Sequence, residues 1–323
     1  MLIILVTVNL VAWGQDPQFS QFYSSPLHMG PSFAGAAEQT RINLNYRDQW
    51  PKLPGVFVTY SFAADHYIRE MKSGFGVYLM NDQAGDGKIN TTNVAANYSY
   101  KIKLSEKWNF RPGIKFFYHQ YQIDYNKVVF NDQLGFDYIN PTSVEIPEDN
   151  RFSYFDFGSS LLFYNSRYWI GTMVDHMIKA SPSFNDNPNY KPLKYSVFGG
   201  AQIPLESLHY KRKLHSLYAT FHFKNQQAVS QLDVGAYYEK DHFLVGLWYR
   251  GLPMISQNYG SDAIILMLGY KGDGFSVGYS YDATISRLIT HTGGAHEISL
   301  SYSFSGGDVL NTREYSPLPC PEL

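Results

Sequence analysis

One short segment of this 323-residue chain groups residue types that are used in catalysis, Gly278 to Asp282 (GYSYD). A serine flanked by two glycines forms the nucleophile elbow of many hydrolases, where it lies at a turn from a strand into a helix. Here Asp282 stands in place of the second glycine, and the segment alternates apolar and polar residues as a strand does. We therefore interpret Ser280 as a serine on the polar face of a strand and expect no nucleophile.

Metal-ligand residue types also occur, but without the spacing of a known metal site. His296 and Glu297 begin like the zinc-binding helix of metalloproteases, yet Leu300 stands where the second histidine belongs. Asp82 to Gly87 (DQAGDG) has the acidic spacing of a calcium loop without the later ligands, and a glycine-rich turn stabilised by Asp side chains is our preferred interpretation; calcium at an outward loop stays open as an alternative. The ten histidines show no ligand spacing. We predict no catalytic residue, cofactor or metal, and no enzymatic activity.

Composition indicates which elements must carry these residues. The chain has 27 Tyr and 22 Phe, and aromatic residues make up 17% of it. Amphipathic rings accumulate at a bilayer interface. No stretch after residue 13 approaches the roughly 18 consecutive apolar residues of a transmembrane helix. A wall of alternating apolar and polar residues is compatible with the mean hydropathy of −0.28. The net charge of −2 excludes a nucleic-acid surface.

Period-two alternation recurs from about residue 41, and its clearest example is Glu297 to Phe304 (EISLSYSF). We predict an all-β protein, a transmembrane antiparallel β-barrel of about 14 strands in residues 41–304, located in the cell outer membrane, whose outer wall contacts outer-membrane lipid. The predicted strands begin near Arg41, Gly55, Gly74, Ile89, Trp108, Phe152, Arg167, Tyr190, Leu214, Val229, His242, Asp262, Gly274 and His296.

Connection lengths predict a direction for this wall. Bacterial barrels have short periplasmic turns and longer external loops. Long connections follow most odd strands, at 121–151, 175–189, 251–261 and 282–294. Connections after even strands include the tight turns at 165–166, 239–241 and 272–273, and the short turn near Asn225 is an exception. Both termini of the barrel are therefore expected on the periplasmic side.

The segments outside the strands are a predicted signal peptide, a leader and a tail. Residues 1–14 form an apolar run that ends in small residues, as a signal peptide does. Residues 15–40 are rich in Pro, Gly and Ser, and three placements stay open: a plug in the lumen, a periplasmic segment docked on the rim, or a flexible leader. Residues 305–323 are a tail that contains Cys320, the only cysteine, so no intramolecular disulfide is possible.

Charged residues fall on the predicted inner face of the strands: Arg41, Arg47, Arg111, Lys115, Asp156, Asp233, Arg250, Asp282 and Glu297. Two interpretations stay open, a structural network that fills the barrel and a docking surface for a polypeptide. The residues assigned to this network or partner surface are Arg47, Trp50, Asp82, Asp86, Arg111, Asp233, Arg250, Asp282, His296 and Glu297. The leader residues expected to dock are Phe19, Gln21, Phe22 and Phe33.

Several motifs, in order along residues 15–304, resemble the PorP/SprF family of type IX secretion system membrane proteins of the Bacteroidetes. They are Gln15 to Phe22 (QDPQFSQF), Pro31 to Gly35 (PSFAG), Tyr46 to Pro51 (YRDQWP), Asp82 to Gly85 (DQAG), Gly246 to Arg250 (GLWYR), Gly278 to Asp282 and Gly293 to Leu300 (GGAHEISL). Ser32 departs from the family, which commonly has Ala there.

The resemblance implies an outer-membrane barrel that serves type IX export and, in gliding species, surface motility. It implies two kinds of partner, a secreted adhesin with a type B C-terminal signal domain and periplasmic secretion components. It implies no catalytic residues. The alternative function is an outer-membrane channel for small solutes, in which the inward charges would select the solute.

Overall fold

The structure, a computed structural model, describes residues 16–85, 89–134, 143–144, 146, 150–179, 191–205, 215–227, 229–251, 263–285 and 292–304. Its strands are β1 Thr40–Gln49, β2 Val56–Ile68, β3 Ser73–Gly85, β4 Ile89–Tyr100, β5 Ile102–Lys103, β6 Asn109–Gln122, β7 Arg151–Tyr164, β8 Tyr168–Asp175, β9 Lys194–Pro204, β10 Ser216–Gln226, β11 Val229–Lys240, β12 Phe243–Arg250, β13 Ala263–Lys271, β14 Phe275–Thr284 and β15 Ala295–Phe304. Among the described residues, the helical structure consists of α1 Pro26–Met29 and 3-10 turns at Phe22–Ser24, Pro31–Phe33, Tyr125–Lys127 and Asn131–Gln133. No helix in these ranges is long and apolar enough to cross a membrane.

Except for β4 and β5, strands that follow one another in the chain pair antiparallel, and β1 closes the sheet by pairing with β15. The closing register runs from Thr40 opposite Phe304 to Gln49 opposite Ala295. The two-residue β5 continues β4 beyond Lys101, and both pair with β6. The described chain therefore forms a closed barrel with 14 wall strands, which confirms the predicted fold class. Closure leaves no free sheet edge for another chain to pair with.

Side chains alternate between the two faces of the wall because a strand has a side-chain period of two. On β15, Ile298 and Leu300 face outward and are exposed, whereas Glu297 and Ser299 face inward and are buried. The same pattern around the barrel produces an apolar outer surface that includes Leu44, Phe75, Val77, Leu79, Val94, Phe116, Ile170, Phe243, Val245, Leu247, Leu266, Leu268 and Val277. This is the surface that acyl chains require.

Residues 16–39 lie inside the barrel, and we call this segment the plug. Its large apolar side chains are almost fully buried and form the centre of the two core clusters: Phe19, Phe22, Leu27, Met29 and Phe33. Pro26 and Pro31 each stand at the first position of a helical turn, where a missing N–H and a fixed φ favour the helical conformation. The structure thus places the leader in the lumen rather than on the rim.

Glycines on the inner wall let the plug backbone approach the strands. A Cβ atom on Gly74 would lie 1.9 Å from the carbonyl oxygen of Ala34, and one on Gly113 would lie 2.3 Å from the backbone nitrogen of Ser32. Both distances are far below van der Waals contact. At Gly74 and Gly113, therefore, only a residue without a side chain fits beside the plug backbone.

The barrel has two different mouths. The short-turn mouth carries the turns 69–72, 165–167, 241–242 and 272–274, and the long-loop mouth carries the connections 123–150, 176–193 and 251–262. Asp16 lies at the long-loop mouth beside Lys194, whereas Phe304 lies at the short-turn mouth. The start of β1 and the end of β15 lie at the same mouth, as we expected for the two ends of the barrel. The plug, however, carries the chain through the lumen, so Asp16 lies at the opposite mouth.

Candidate functional site in the barrel lumen

Glu297 on β15 holds the backbone of the plug. Its Oε2 accepts a hydrogen bond from the backbone N–H of Ser20 at 2.7 Å, and its Oε1 accepts one from the N–H of Gln21 at 2.9 Å. Arg47 lies directly opposite in the β1–β15 register, and its Nη1 is 3.1 Å from Oε2. A buried carboxylate is stable when hydrogen bonds and an opposite charge replace its hydration. The closing register thus positions a receptor for the plug.

The hydroxyl of Ser20 uses its full hydrogen-bonding capacity. Its Oγ donates to Asp282 Oδ2 at 2.6 Å and accepts from Arg47 Nη1 and Arg250 Nη2, each at 2.7 Å. Both guanidinium groups also lie 2.9 Å from Asp282 Oδ2. A hydroxyl offers one donor and two acceptor sites, and all three are occupied here. Ser20 therefore joins charged groups from β1, β12 and β14.

The charges around Ser20 are balanced. Lys224 Nζ lies 3.0 Å from Asp233 Oδ2 and donates to Gln18 Oε1 of the plug at 3.0 Å. Moving one charge from water into a protein interior costs several kcal/mol, so a buried charge must have a partner of opposite sign. The set contains three cations and three anions, and we call it the charge cluster: Arg47, Lys224, Arg250, Asp233, Asp282 and Glu297.

Gln21 is recognised by its side chain as well as by its backbone. Its Nε2 donates to the Glu297 carbonyl at 2.9 Å and to Ser280 Oγ at 3.2 Å, and its Oε1 accepts from Ser299 Oγ at 2.6 Å. A Cβ on Gly278 would lie 2.4 Å from this Oε1. Ser280 therefore binds the plug, in agreement with its placement on the polar face of a strand.

Aromatic contacts anchor the middle of the plug. Phe22 packs edge-on against Trp248, with ring centroids 4.8 Å apart. The Tyr23 hydroxyl donates to the Gly199 carbonyl at 3.3 Å and accepts from Trp169 Nε1 at 3.4 Å. Tyr and Trp in a core usually satisfy their polar atoms in this way. The two tryptophans thereby attach the plug to β8 and β12.

The plug ends its path at the short-turn mouth with further polar contacts to the wall. The Ala34 carbonyl accepts from Ser99 Oγ at 2.7 Å and from Arg111 Nη2 at 2.6 Å. The N–H of Gly35 donates to Asp65 Oδ2 at 2.7 Å. Arg111 is fully buried, so its charge is stabilised partly by a carbonyl of the plug.

At the long-loop mouth Asp16 is surrounded by cations. Lys191 Nζ lies 2.7 Å from its Oδ1, and Lys194 Nζ and His176 Nε2 lie 3.2 and 2.9 Å from its Oδ2. Burial alone would raise the pKa of Asp16, but Lys191, His176 and Lys194 hold it well below its usual value. Burial alone would lower the pKa of His176, but Asp16 and Asp156 raise it. The plug's first described residue is thus held by charge.

The residues assigned to the network occupy different places. Arg47, Arg111, Asp233, Arg250, Asp282 and Glu297 are buried in the lumen, as are Arg41, Lys115 and Asp156. Of the leader residues, Gln21 and Phe22 make the contacts above, Phe19 packs edge-on against His28, and Phe33 packs against Phe198. Asp82 lies on the inner face of β3 and accepts a hydrogen bond from Thr59 Oγ1 at 2.6 Å. Asp86 lies outside the described residues.

Two assigned residues lie outside the network. His296 faces outward, where its Nδ1 contacts the Tyr279 hydroxyl at 2.9 Å, because Glu297 takes the inward position and neighbours in a strand face opposite ways. Trp50 follows the end of β1 at the long-loop mouth and packs on Phe57 at 5.5 Å. Placing these two in the lumen network was wrong.

Sequence reasoning did not find Ser20, Lys224 or His176. Ser20 contacts Asp282 of the wall, and Lys224 contacts Gln18 of the plug, and each of these partners lies more than 200 positions away in the sequence. His176 follows β8 directly and has a left-handed φ of 61°. A polar residue at the end of an alternating strand was its only signal.

Similar solved structures include the CymD monoaromatic hydrocarbon channel, with 10% identity, 88% of this chain and 93% of that chain covered, and a TM-score of 0.47. They also include the outer membrane protein Omp33 of Acinetobacter baumannii, with 5% identity, coverage of 83% and 100%, and a TM-score of 0.44. No curated protein matches the sequence.

The family comparison covers nearly the whole chain. The model described as type IX secretion system membrane protein PorP/SprF matches residues 11–302. That range contains the plug, the charge cluster and all but the last residues of the wall. The apolar outer surface and the closed barrel are those of an outer-membrane protein. The chain therefore belongs to the PorP/SprF family of type IX secretion system membrane proteins and is located in the outer membrane.

Proposed function

We propose that this barrel supports the export or surface anchoring of a cargo protein with a type B C-terminal signal domain, such as an adhesin, and that it does so without catalysis. The proposal rests on one observation: the chain belongs to this secretion family, and its lumen is filled by its own plug. A wall of this strand number is too narrow for a folded domain even without the plug. The working surfaces are then the two mouths and the outer wall.

The two mouths suit different partners. Because short turns usually face the periplasm, we place the short-turn mouth and the end of β15 there, within reach of periplasmic secretion components. The long-loop mouth then faces outward and meets the cargo's terminal domain. Asp16 and the contacts around it lie at this outer mouth, so the plug links the cargo side to the periplasmic side.

Deleting the gene tests the proposal. We expect one large surface protein to disappear from the cell exterior while other exported proteins remain, as measured by mass spectrometry of surface and medium fractions. Complementation with the wild-type gene should restore that protein. If all surface proteins persist and only the uptake of small solutes falls, the proposal is wrong and the channel alternative is right.

The channel alternative has its own test. A small-solute channel needs a continuous water path, whereas the plug holds the lumen through Ser20, Gln21 and Ala34. We expect purified full-length protein to give no steady conductance in a planar bilayer, with a porin of open lumen as the positive control. Steady conductance by the intact protein would support the channel.

A further inference from the structure

Three side chains near the long-loop mouth have the composition of a metal site. His119 on β6, Asp156 on β7 and His176 after β8 each offer one ligand atom, and these atoms all lie within 4.8 Å of one another. All three residues are buried. We propose that they bind a divalent transition-metal ion such as Zn²⁺, for which two imidazole nitrogens and a carboxylate oxygen are common protein ligands.

The pairing of neighbouring strands creates this group. Strand β6 pairs with β7, with His119 opposite Tyr154 and Phe117 opposite Asp156. Strand β7 pairs with β8, which ends at Asp175 immediately before His176. Two of the three ligands thus come from adjacent strands of the wall, and the third comes from the residue that directly follows the next strand. Rigid elements hold a site better than loops do.

His119 presents a free nitrogen to the site. Its Nδ1 contacts Asn93 Oδ1, and an amide oxygen can only accept, so Nδ1 carries the proton. The lone pair is therefore on Nε2. His119 is only 6% exposed, and its Nε2 has no hydrogen-bond partner among the described residues. A buried nitrogen lone pair without a donor is costly, and a metal ion would satisfy it.

Asp156 is held in a fixed orientation. Its Oδ1 accepts hydrogen bonds from the backbone N–H of Phe157 at 2.7 Å and of Ile178 at 3.1 Å. Its Oδ2 points at His176 Nδ1, 2.7 Å away. Oδ1 is thus fixed by the backbone. Oδ2, which now accepts a hydrogen bond from His176, can bind a metal ion instead.

His176 completes the arrangement through the plug. Its Nε2 donates to Asp16 Oδ2 at 2.9 Å, which leaves Nδ1 facing Asp156. A carboxylate behind the far nitrogen of a metal-binding histidine is the usual way in which its ring is oriented. When the metal binds, it replaces the Nδ1 proton. The neighbouring cations do not oppose this strongly, because Lys191 and Lys194 pair with Asp16 and Lys115 pairs with Asp175.

A small cavity adjoins the group. Its volume is about 50 Å³, and His119, His176 and Asp16 are among the residues that line it. This is enough for a water molecule as a fourth ligand. The bound ion would connect β6, β7 and the segment after β8 and, through Asp16, fix the outer end of the plug.

Metal titration of the purified full-length barrel tests the proposal. After treatment with a chelator, wild-type protein in detergent is titrated with Zn²⁺ by calorimetry and with Co²⁺ by visible absorption. We expect one bound equivalent and the absorption of a Co²⁺ ion coordinated by nitrogen and oxygen. The matched control is His296→Ala, which removes a histidine from the outer wall and leaves the three ligands intact.

Two variants decide the outcome. His119→Ala should abolish stoichiometric binding. Asp16→Asn removes the carboxylate behind His176 and also the acidic partner of Lys191 and Lys194, and it should weaken binding about tenfold or more. The heat-dependent electrophoretic shift of a folded barrel verifies that each variant is folded. If His119→Ala does not fold, wild-type and Asp16→Asn still decide. No stoichiometric Zn²⁺ binding by the wild type, or equal affinity in wild type and the variants, would overturn the proposal.

Discussion

Ser20 contributes one hydroxyl group, and that group contacts Asp282, Arg47 and Arg250 from three different wall strands. Both guanidinium groups bind the same oxygen atom of the plug, so the wall alone does not satisfy them. Ser20 therefore links the plug to the charge cluster.

We predict that Ser20→Ala lowers the free energy of unfolding by about 2–3 kcal/mol, since a hydrogen bond to a charged group contributes roughly 1.5–3 kcal/mol and the deletion leaves buried charges less well satisfied. Ser24 provides the matched control, because it is equally buried and its Oγ has no hydrogen-bond partner among the described residues. Ser24→Ala should be nearly neutral. Urea unfolding of the refolded barrel, followed by tryptophan fluorescence, measures the free energy of unfolding of both variants. An equal decrease in the two variants would contradict the role of Ser20 as the link to the charge cluster.

At the level of single residues, the sequence predicted inward charges correctly wherever a strand alternated clearly. Arg47 and Glu297 are examples, since Arg47 continues the buried positions that alternate with the outward Leu44 and Tyr46, and Glu297 begins a buried series that alternates with the outward Ile298 and Leu300. His296 was assigned to the network although it is adjacent to Glu297, and two adjacent residues of a strand cannot both face the lumen. The group of His119, Asp156 and His176 was not predicted, because its members meet only through strand pairing and no local spacing reveals that.

At the level of elements, the inner wall is shaped to fit the plug. Gly113 on β6 faces the backbone of Pro31 and Ser32, and the Ser32 N–H donates to Ser160 Oγ on β7 at 2.7 Å. A side chain at position 113 would have to displace backbone atoms, which cannot move aside as the tip of a long side chain can. The segment around Ser32 is therefore fixed by the wall rather than by its own helical turn.

We predict that Gly113→Ala destabilises the protein by about 1–3 kcal/mol, the usual cost of overpacking, and makes the plug more accessible to protease. The control is Gly272→Ala, for which the three atoms nearest to the new methyl group all belong to the side-chain ring of Phe275 and none to the backbone. Limited proteolysis with N-terminal sequencing, together with urea unfolding, checks both variants. A similar plug protection in the two variants would contradict the fit described here.

Periodicity found the wall strands because each has an apolar outer face, but it left the plug unplaced. Residues 15–40 have no period of two or 3.6, and their Pro, Gly and aromatic residues suit a flexible leader as well as a packed plug. Their position depends on partners such as Trp248 and Glu297, which lie more than 200 residues away. Only tertiary contacts distinguish the alternatives.

At the level of the whole molecule, the barrel is a membrane-spanning wall whose core is built partly from its own leader. In most soluble domains the sheet covers a core of its own side chains, whereas here the core combines apolar side chains of the wall, such as Trp248 and Phe198, with apolar rings of the plug, such as Phe22 and Phe33. Such a core links the two mouths mechanically. It also raises the question whether the plug stays in place while cargo is exported.

An engineered disulfide that reversibly locks the plug to the wall tests whether the plug stays in place. A Cβ on Gly30 of the plug would lie 3.1 Å from Ser160 Cβ on the wall, a few tenths of an ångström below the roughly 3.5–4.5 Å that a disulfide spans. We predict that Gly30→Cys/Ser160→Cys, made with Cys320→Ser, forms this disulfide on oxidation and that the locked barrel still supports display of the cargo. The proposal treats the lumen as occupied throughout, so export should be as efficient with the lock closed as after reduction.

The single variants Gly30→Cys and Ser160→Cys, each with Cys320→Ser, report what the substitutions cost without the lock, including the hydrogen bond that Ser160 accepts from Ser32. Surface display of the cargo is compared in oxidised and reduced cells by protease shaving and blotting. If display stops only in the oxidised double variant and returns with reductant, the plug must leave its place during export. The inner surface around Arg47, Arg250 and Glu297, freed of Ser20 and Gln21, would then become a binding site for a segment of the cargo.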